Sequence, residues 1–583
     1  MRKPLIYFFI SFILGSVAFM IYDFKPFRAF IFIFMFIFLL NRDLNYKEVV
    51  LNFIIFLLSF YNMYSYFNLN LPQNHCEVSI RVVEKKNYYT IGSIKGKRVY
   101  LKNIKAENIG ELIYARGILK KLPQYEKGVI GEFTLSSEGE RKEDAYSKII
   151  GYRYDIDEKF QNTFGIEEGA LLSSLCFGDN SSLDLDRKEK LKSLGVIHVI
   201  SVSGFHIALI YKVASKVLGG YGALILTFFY GVFTGGKSST WRAFIMIALS
   251  KISLKVYRNY DGISALSLAG IILLMIKPYY ILDIGFSLSF LATLGIILFQ
   301  KRIDKTLYRL PSYLREPLSI TLSAQIFSLP YMVFSFGTFN LGFILGNILL
   351  VPLFTILILL GNLALILLNT PFISYIKYIV DVLMKILNGG IHILHKLSPN
   401  TSYISYLQGL IIISIYICYF LVKRGKKRYL YLPLILSLSL VFQYYKPYTV
   451  VKYLNVLGKE SFIISYNNKN LIFTESKNLG EDIIKRYNIN QVIKIEEYPI
   501  NFKVLASNSI DIAINKSKNG AREMKIAVMP KKKSKLLSGI GYREEKNYDI
   551  ILLKPKEQGY YKRIKEINNI VITPFNIYSF VID

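Results

Sequence analysis

Apolar residues in this chain gather in long runs interrupted by single polar positions, the pattern of helices that cross a membrane. Leu5 to Tyr22, Phe27 to Leu40 and Val49 to Phe67 open the chain, the middle run short enough to be half of a hairpin. Further runs cover Gly222 to Thr234, a helix opened by Trp241 and Arg242, Tyr260 to Ile276, Ile281 to Phe299, Leu318 to Phe336, Leu341 to Leu368, Ser402 to Val422 and Tyr429 to Tyr444. At the length each crossing needs, they predict a polytopic α-helical membrane protein of about 10-12 transmembrane or re-entrant helices. Between His75 and Ser147 the period falls to two: Val78, Ile80 and Val82 alternate with Ser79 and Arg81, and Val99, Leu101, Leu112, Ile113 and Tyr114 follow between glycine turns. That alternation predicts a small β-domain of about five strands, with an OB-like barrel as the natural candidate. Such barrels bind single strands or sugars, but no aromatic stacking platform is legible, so a ligand-free barrel is an equal reading.

The expected organisation is therefore residues 1-70 as N-terminal transmembrane segments, 71-150 as the OB-like β-domain, 151-446 as the main membrane domain and 447-583 as a small α/β C-terminal domain. Composition agrees: of 583 residues 52% are hydrophobic and 15% aromatic, which removes the chain from the soluble classes. The formal net charge of +31 suits cytoplasmic loops and also a polyanionic partner such as nucleic acid or anionic lipid. A coding bias toward Lys, Asn, Ile, Tyr and Phe accounts for part of it. Arg2 and Lys3 place the start in the cytoplasm, so three crossings leave the β-domain outside; Lys423 to Arg428, KRGKKR, is the strongest cytoplasmic marker. A retained first helix is a better reading of the N-terminus than a signal peptide. Cys76, Cys176 and Cys418 lie too far apart to suggest a disulfide framework or a metal site.

The chemistry concentrates in Val196 to Ile210, VIHVISVSGFHIALI, an apolar run with two histidines, two serines and a glycine at its middle. If it is helical, His198 shares a face with Ser201 and Ser203 with His206. Polar groups at that depth face a bundle interior or a wet cavity, unless they only join helices. Downstream, GGKSSTWRAFIM carries Ser238, Ser239 and Arg242, and an arginine there must face protein, water or an anion, or snorkel to the interface. Asp283, Ser287 and Ser289 accompany the small residues Gly285, Ala292 and Gly295. Gln325, Pro330, Gly337, Asn347 and Pro352 imply broken or re-entrant helices. His392 and His395 are expected at the interface, and nothing in the histidine spacing requires zinc. No Walker A loop is read, so energy comes from a partner or the membrane potential. The lysines at 531–535, with Lys516, Lys518, Arg522 and Lys525, form a solvated loop or a DNA contact.

These blocks resemble, in order, those of the ComEC family of DNA-internalisation proteins, competence channels that pass single-stranded DNA into bacteria. GVIHVISVSGFHIALI is similar to the family's G-x-x-H-L-L-A-I-S-G-L-H signature, placing His198, Ser203, Gly204 and His206 on its fixed positions. GGKSSTWRAFIM, DIGFSLSFLATLGI and FSFGTFNLGFILGNILLVPL resemble three further blocks. The resemblance implies transport of single-stranded DNA across the cytoplasmic (inner) membrane, and DNA-channel positions at His198, Ser201, Ser203, Gly204, His206, Ser238, Ser239, Arg242, Asp283, Ser289 and Asn347. It implies an external DNA-receptor protein and a cytoplasmic helicase-like ATPase as partners alongside membrane lipids, leaves a homodimer open, and calls for no cofactor. The family's C-terminal metallo-β-lactamase-like domain is matched only at its start, where Asn455 to Glu460 replaces the usual Asp-Val-Gly-Gln-Gly-Asp. No histidine follows His395, so a truncated, degenerate domain and no enzyme activity are expected. A solute or lipid transporter remains the alternative. An intramembrane serine hydrolase using Ser203 is a weaker one, since i, i+3 neighbours on one helix are poorly placed as a dyad.

Overall fold

The computed structural model describes residues 3–444 except 25, 70–75, 87–88, 103–108, 179, 181, 337, 399–401, 404–405 and 424; beyond 444 it describes the strands named below and residues 483–484, 487 and 489–490. The chain divides into two compact units, Met1–Ser335 with Asn340–Asn400, and Phe336–Phe339 with Thr401–Asp583.

The first unit opens with α1 (Pro4–Phe24), α2 (Pro26–Asp43) and α3 (Tyr46–Phe67). A polar seam joins α1 to α3: the Ser11 hydroxyl donates to Asn52 Oδ1 at 2.8 Å, and the Ser16 and Ser59 hydroxyls lie 2.7 Å apart. Gly15 lets the backbones touch, since a Cβ there would collide with the Phe56 carbonyl. Lipid supplies no hydrophobic drive between helices, so close packing and such bonds hold the pair.

Strands β1 (Cys76–Lys86), β2 (Tyr89–Ile94), β3 (Lys97–Lys102), β4 (Leu112–Gln124) and β5 (Val129–Lys142) close into a barrel in the order β1-β2-β3-β5-β4. β3 and β5 are parallel and the other pairs antiparallel, the five-stranded Greek-key closure of an OB-type barrel. Its interior takes alternate positions, Ile80, Val82, Ile94, Val99, Ile113 and Phe133, as the two-residue period requires. The barrel is seated on the membrane helices. Tyr66 Oη donates to the Gly128 carbonyl at 2.9 Å and accepts from the Arg98 amide at 3.3 Å, while the Tyr279 ring fills the place of a side chain at Gly128. Tyr125 in the barrel also donates to Asp23 at the end of α1. At the other end of α1, Lys3 pairs with Asp261 at 2.7 Å. One face of the helical layer thus carries the barrel, and the opposite face carries the start of α1 and residue 261.

After the barrel come α4 (Ala145–Phe164), α5 (Ile166–Phe177), α6 (Leu185–Ser193), α7 (Ile197–Ile200), α8 (Gly204–Phe233), α9 (Ser238–Lys255), α10 (Gly262–Ile276), a 3-10 turn at Pro278–Leu282, α11 (Ile284–Thr306), α12 (Ser312–Phe336), α13 (Phe343–Leu367) and α14 (Ile373–Leu397). From Gly169 to Phe177 α5 is buried on every side, a core helix rather than a lipid-facing one. Ile376, Val380, Met384, Leu387 and Ile391 of α14 belong to the same core, leaving His392 and His395 on its exposed side.

Among the described residues six helices are long and apolar enough to cross a membrane: Pro4–Asp23, Tyr46–Phe67, Gly204–Phe233, Ile284–Thr306, Ser312–Phe336 and Phe343–Leu367. Gly262–Ile276, Gln408–Lys423 and Arg428–Leu438 are apolar but shorter. The chain is a multi-pass membrane protein with fewer full-length spans, among the described residues, than the 10-12 crossings expected.

One of the six does not run straight. Gly219 takes a left-handed, non-helical conformation (φ 70°, ψ 173°) within α8. Gly204 packs against Arg242 and Ser239, Gly231 packs against Thr240 and Trp241, and Gly220 between them packs against Lys251. Both ends of α8 therefore meet the start of α9 and its middle meets the last turns, so α8 is a hairpin of two limbs, not a span. The breaks expected near Pro330 and Pro352 are absent: both prolines sit inside α12 and α13, which continue as single helices. A proline forfeits one backbone bond, which packed neighbours in a bundle tolerate.

In the second unit β6 (Thr338–Phe339) pairs with β7 (Ser402–Tyr403), and α15 (Tyr406–Lys423) is followed by α16 (Tyr431–Tyr444). Then come β8 (Thr449–Val456), β9 (Lys459–Tyr466), β10 (Lys469–Thr474), β11 (Gln491–Lys494), β12 (Ile500–Val504), β13 (Ile510–Lys516), β14 (Met524–Met529), β15 (Asp549–Leu553), β16 (Ile564–Ile572) and β17 (Ile577–Phe580). They form a six-stranded sheet in the order β11-β10-β9-β8-β16-β17 and a four-stranded sheet β12-β13-β14-β15. The helical half of the expected α/β domain and the lysines at 531–535 lie outside the described residues.

Candidate functional site

The apolar run around residue 200 is broken at its centre. α7 is one turn long, and Ser201 (φ −87°, ψ 127°) and Ser203 (φ −119°, ψ 174°) are extended before α8 starts at Gly204. The helical pairing of His198 with Ser201 is thereby corrected: His198 Nδ1 lies 3.0 Å from the Gly195 carbonyl, and Ser201 Oγ accepts from Lys237 Nζ at 2.9 Å. Serine and glycine favour this outcome, because a serine that competes for backbone bonds is better placed as a helix cap than in mid-helix. Ser203 and His206 do meet, as the cap of α8. The Ser203 amide donates to His206 Nδ1 at 3.2 Å, and the hydroxyl lies 3.1 Å from the same nitrogen. His198 is exposed at this break.

The start of α9 lies beside this break. Gly235 (φ 84°) and Gly236 (φ 57°) are both left-handed, which turns the chain sharply out of α8 and brings Lys237 to the head of α9, where no side chain caps the helix. A Cβ on Gly204 would collide with Arg242 Nη2 and come within 3.1 Å of Ala243 Cβ, so the absent side chain seats the guanidinium against the first residue of α8. Ser239 Oγ donates to the Val202 carbonyl at 3.5 Å, tying the two helix starts together. Arg242 is 9% exposed, its Nε has no hydrogen-bond partner, and no carboxylate pairs with it among the described residues. Thr240 Oγ1 beside it is likewise buried and unpartnered.

A buried guanidinium without a counter-ion is costly, and each helix start adds roughly half a positive charge. Two helix starts, Arg242 and Lys237 thus make a preformed seat for an anion. The reading that no Walker A pattern occurs is corrected here: Gly231, Gly236, Lys237 and Ser238 have the spacing G-x-x-x-x-G-K-S. Gly231 lies in α8 and not after a strand, so the nucleotide-hydrolase context is missing. What the loop shares with that motif is physical, a glycine turn that offers a lysine and a helix start to a phosphate.

Asp283 and Ser238 also meet, but as a tie. Asp283 Oδ1 caps α11 by accepting from the Phe286 amide at 2.6 Å and accepts from the Ser238 hydroxyl at 3.3 Å. Ser289 lies farther along α11, where its carbonyl accepts from Thr293 Oγ1 at 2.8 Å, and no bond joins it to the anion seat among the described residues. Asn347 stands on α13 next to Gly346, which packs on Leu194 and Val196; its Oδ1 is buried and unpartnered among the described residues. No group of three His, Cys, Asp or Glu residues that could hold a metal occurs among the described residues. The sequence reading missed Lys237 and Arg153, and it took Gly178 only as the break after an apolar helix, which ends at Phe177. Lys237 Nζ would lie 3.4 Å from a Cβ on Gly178, and Arg153 donates to the Phe177 carbonyl at 3.2 Å. The paired glycines before Lys237 were the available signal.

Residues 175–427 match the model of the Competence protein family. "ComE operon protein 3" of Bacillus subtilis (strain 168) is 26% identical over 226 residues, 37% of this chain and 29% of that protein. An uncharacterized protein of Aquifex aeolicus (strain VF5) is 27% identical over 191 residues, 32% of this chain and 41% of that one. Both matches span less than half of the relative's length, and no solved structure matches the chain. The stretch that matches this family model, residues 175–427, contains the broken run, the α8 hairpin and the anion seat.

Proposed function

We propose that this chain conducts single-stranded DNA across the bacterial cytoplasmic membrane during natural transformation, with the anion seat between α8 and α9 as the place where the strand's phosphates are first held. The observation that carries the reading is the buried Arg242 guanidinium, unpaired at the meeting of two helix starts. A phosphodiester supplies the charge that this arrangement lacks, and contacts to phosphates alone let any base sequence pass. The seat lies toward the face that carries the barrel, since Ser238 is tied to Asp283 beside the 3-10 turn on which the barrel sits. Lys255 ends α9 and Arg258 follows it on the opposite face with Lys3, and Lys301, Arg302 and Lys305 end α11 there, the bias of a cytoplasmic side. The strand then enters from the barrel side and leaves at the basic side.

In this reading the protein is a conduit and not an enzyme. The contact between Ser203 and His206 serves as a helix cap, which occupies His206 Nδ1 with a backbone amide. Energy comes from the membrane potential or from a helicase-like ATPase, an external receptor delivers the DNA, and the degenerate C-terminal unit has no hydrolase role. The test is entry of labelled duplex DNA into competent cells carrying the intact gene, a deletion, or Arg242→Ala, with surface label separated from internal label. Arg242→Ala is expected to keep surface binding and membrane level while stopping entry. Normal entry in cells with the deletion would overturn the proposal, and normal entry with Arg242→Ala alone would remove the role given to the seat.

A further inference from the structure

The first limb of α8 leaves the anion seat toward the basic face, and Phe205, Ala208, Lys212 and Lys216, three and four residues apart, form an exposed stripe on it beside the exposed Val213 and Val217. Ile207 and Ala214 on the other side of the limb are buried. Lys212 lies about 12 Å along the helix from Gly204, and Lys216 one turn, about 6 Å, beyond it. Among the described residues no acidic side chain pairs with either lysine. Two ammonium groups against hydrocarbon would be expensive, so a limb that exposes both of them one turn apart is built to face water or an anion. Phe205, 44% exposed at the head of the stripe, presents a ring beside the seat. Lys251 lies at a similar depth but is turned inward, 5.8 Å from the Tyr211 ring and against Gly220 at the hairpin bend.

We propose that this stripe is a second binding station for the conducted strand: phosphates released from Arg242 and Lys237 pass to Lys212 and then to Lys216, while bases stack on Phe205. The inference rests on the conduction reading and names the ligand of this wall as an extended single-stranded polyanion. One helical turn between the lysines is close to one phosphate step of a stretched strand. Lysine heads on flexible stems hold a phosphate as point charges and release it readily, which a path needs and a tight site does not.

The test uses the full chain in planar bilayers and in proteoliposomes of neutral lipid, with potassium chloride gradients and a labelled single-stranded oligonucleotide as probes. Unaltered protein is expected to conduct with anion preference and to admit the oligonucleotide. Lys212→Glu with Lys216→Glu is expected to reverse the ion preference and to lower oligonucleotide entry by at least about tenfold, as removal of two phosphate contacts predicts. Lys212→Gln with Lys216→Gln, free of added repulsion, should give a smaller loss in the same direction. Lys251→Glu should leave the ion preference unchanged. An unaltered protein that neither conducts nor admits the oligonucleotide defeats the conduction reading itself. Conduction with the ion preference unmoved in the double glutamate variant defeats the stripe alone, as does an equal shift from Lys251→Glu, which would make the lysines general topological charges.

Discussion

Gly204→Ala tests the anion seat with the smallest possible change. The added methyl would occupy the place of Arg242 Nη2 and press on Ala243, so the guanidinium must leave the start of α8. In the folded protein two effects oppose each other: alanine is favoured over glycine in a helix by up to about 1 kcal/mol, and overpacking costs about 1–3 kcal/mol. The net is a loss of about 1 kcal/mol, too little to unfold a domain of ordinary stability. For the ligand the loss is larger, because a charge-assisted hydrogen bond of about 1.5–3 kcal/mol is removed. That corresponds to a fall in affinity of about ten- to a hundredfold. Fluorescence anisotropy of a labelled single-stranded oligonucleotide with detergent-solubilised protein at fixed salt reads it directly. Arg242→Ala and the double variant complete a cycle: if the methyl acts only by displacing Arg242, Gly204→Ala adds nothing once the arginine is gone. Unchanged affinity in Gly204→Ala, or a penalty that adds fully to that of Arg242→Ala, would refute the reasoning.

The α8 hairpin predicts that single cysteines placed at Ser203 and at Gly235 react with an impermeant thiol reagent from the same side of the membrane; labelling from opposite sides would restore α8 as a span. Gly15→Leu is expected to separate α1 from α3 at the Phe56 carbonyl, costing about 1–3 kcal/mol and lowering the detergent melting temperature of the whole protein. At the foot of the barrel the Arg81 guanidinium holds the Asp144 carboxyl well below the usual carboxylate range, with the Ser147 amide adding to it. A depressed carboxylate contributes stability above its unfolded value near 3.8 and loses that contribution as pH falls toward the folded value. Asp144→Asn should therefore cost up to about 1 kcal/mol at pH 7, discounted for a partly exposed pair, and the gap from unaltered protein in thermal melts should close below about pH 4.

The barrel was legible because alternation is a local signal: Ile80, Val82, Val99 and Ile113 each report their own face. The membrane helices were legible for the same reason, through the composition of each run. What the runs hid was direction. Residues 196–234 read as one buried stretch and then a span, whereas Gly219 folds them back, and hydropathy does not distinguish a 30-residue span from two shorter limbs. Pro330 and Pro352 misled in the opposite sense, since each lies inside a helix that continues past it. Of the site, His206, Ser203 and Arg242 were found from polar residues in apolar surroundings. Lys237 was passed over because it sits between runs, where a basic residue usually marks only a loop; its role comes from Ser201 and Gly178, which the fold brings to it. Ser289 was included for its polarity and its motif position, and its backbone carbonyl accepts from Thr293 within α11.

The seating of the barrel has a consequence for how the protein is made. Its strands are complete by Lys142, and Tyr66 is already in place below them, but the ring that fills the space at Gly128 belongs to Tyr279, far downstream. During synthesis the barrel can therefore close while this latch is still missing, and it gains the latch only when the turn after α10 has been made. A chain stalled before residue 278 would carry a finished but unlatched barrel, and the barrel's sensitivity to protease would report how far assembly had advanced.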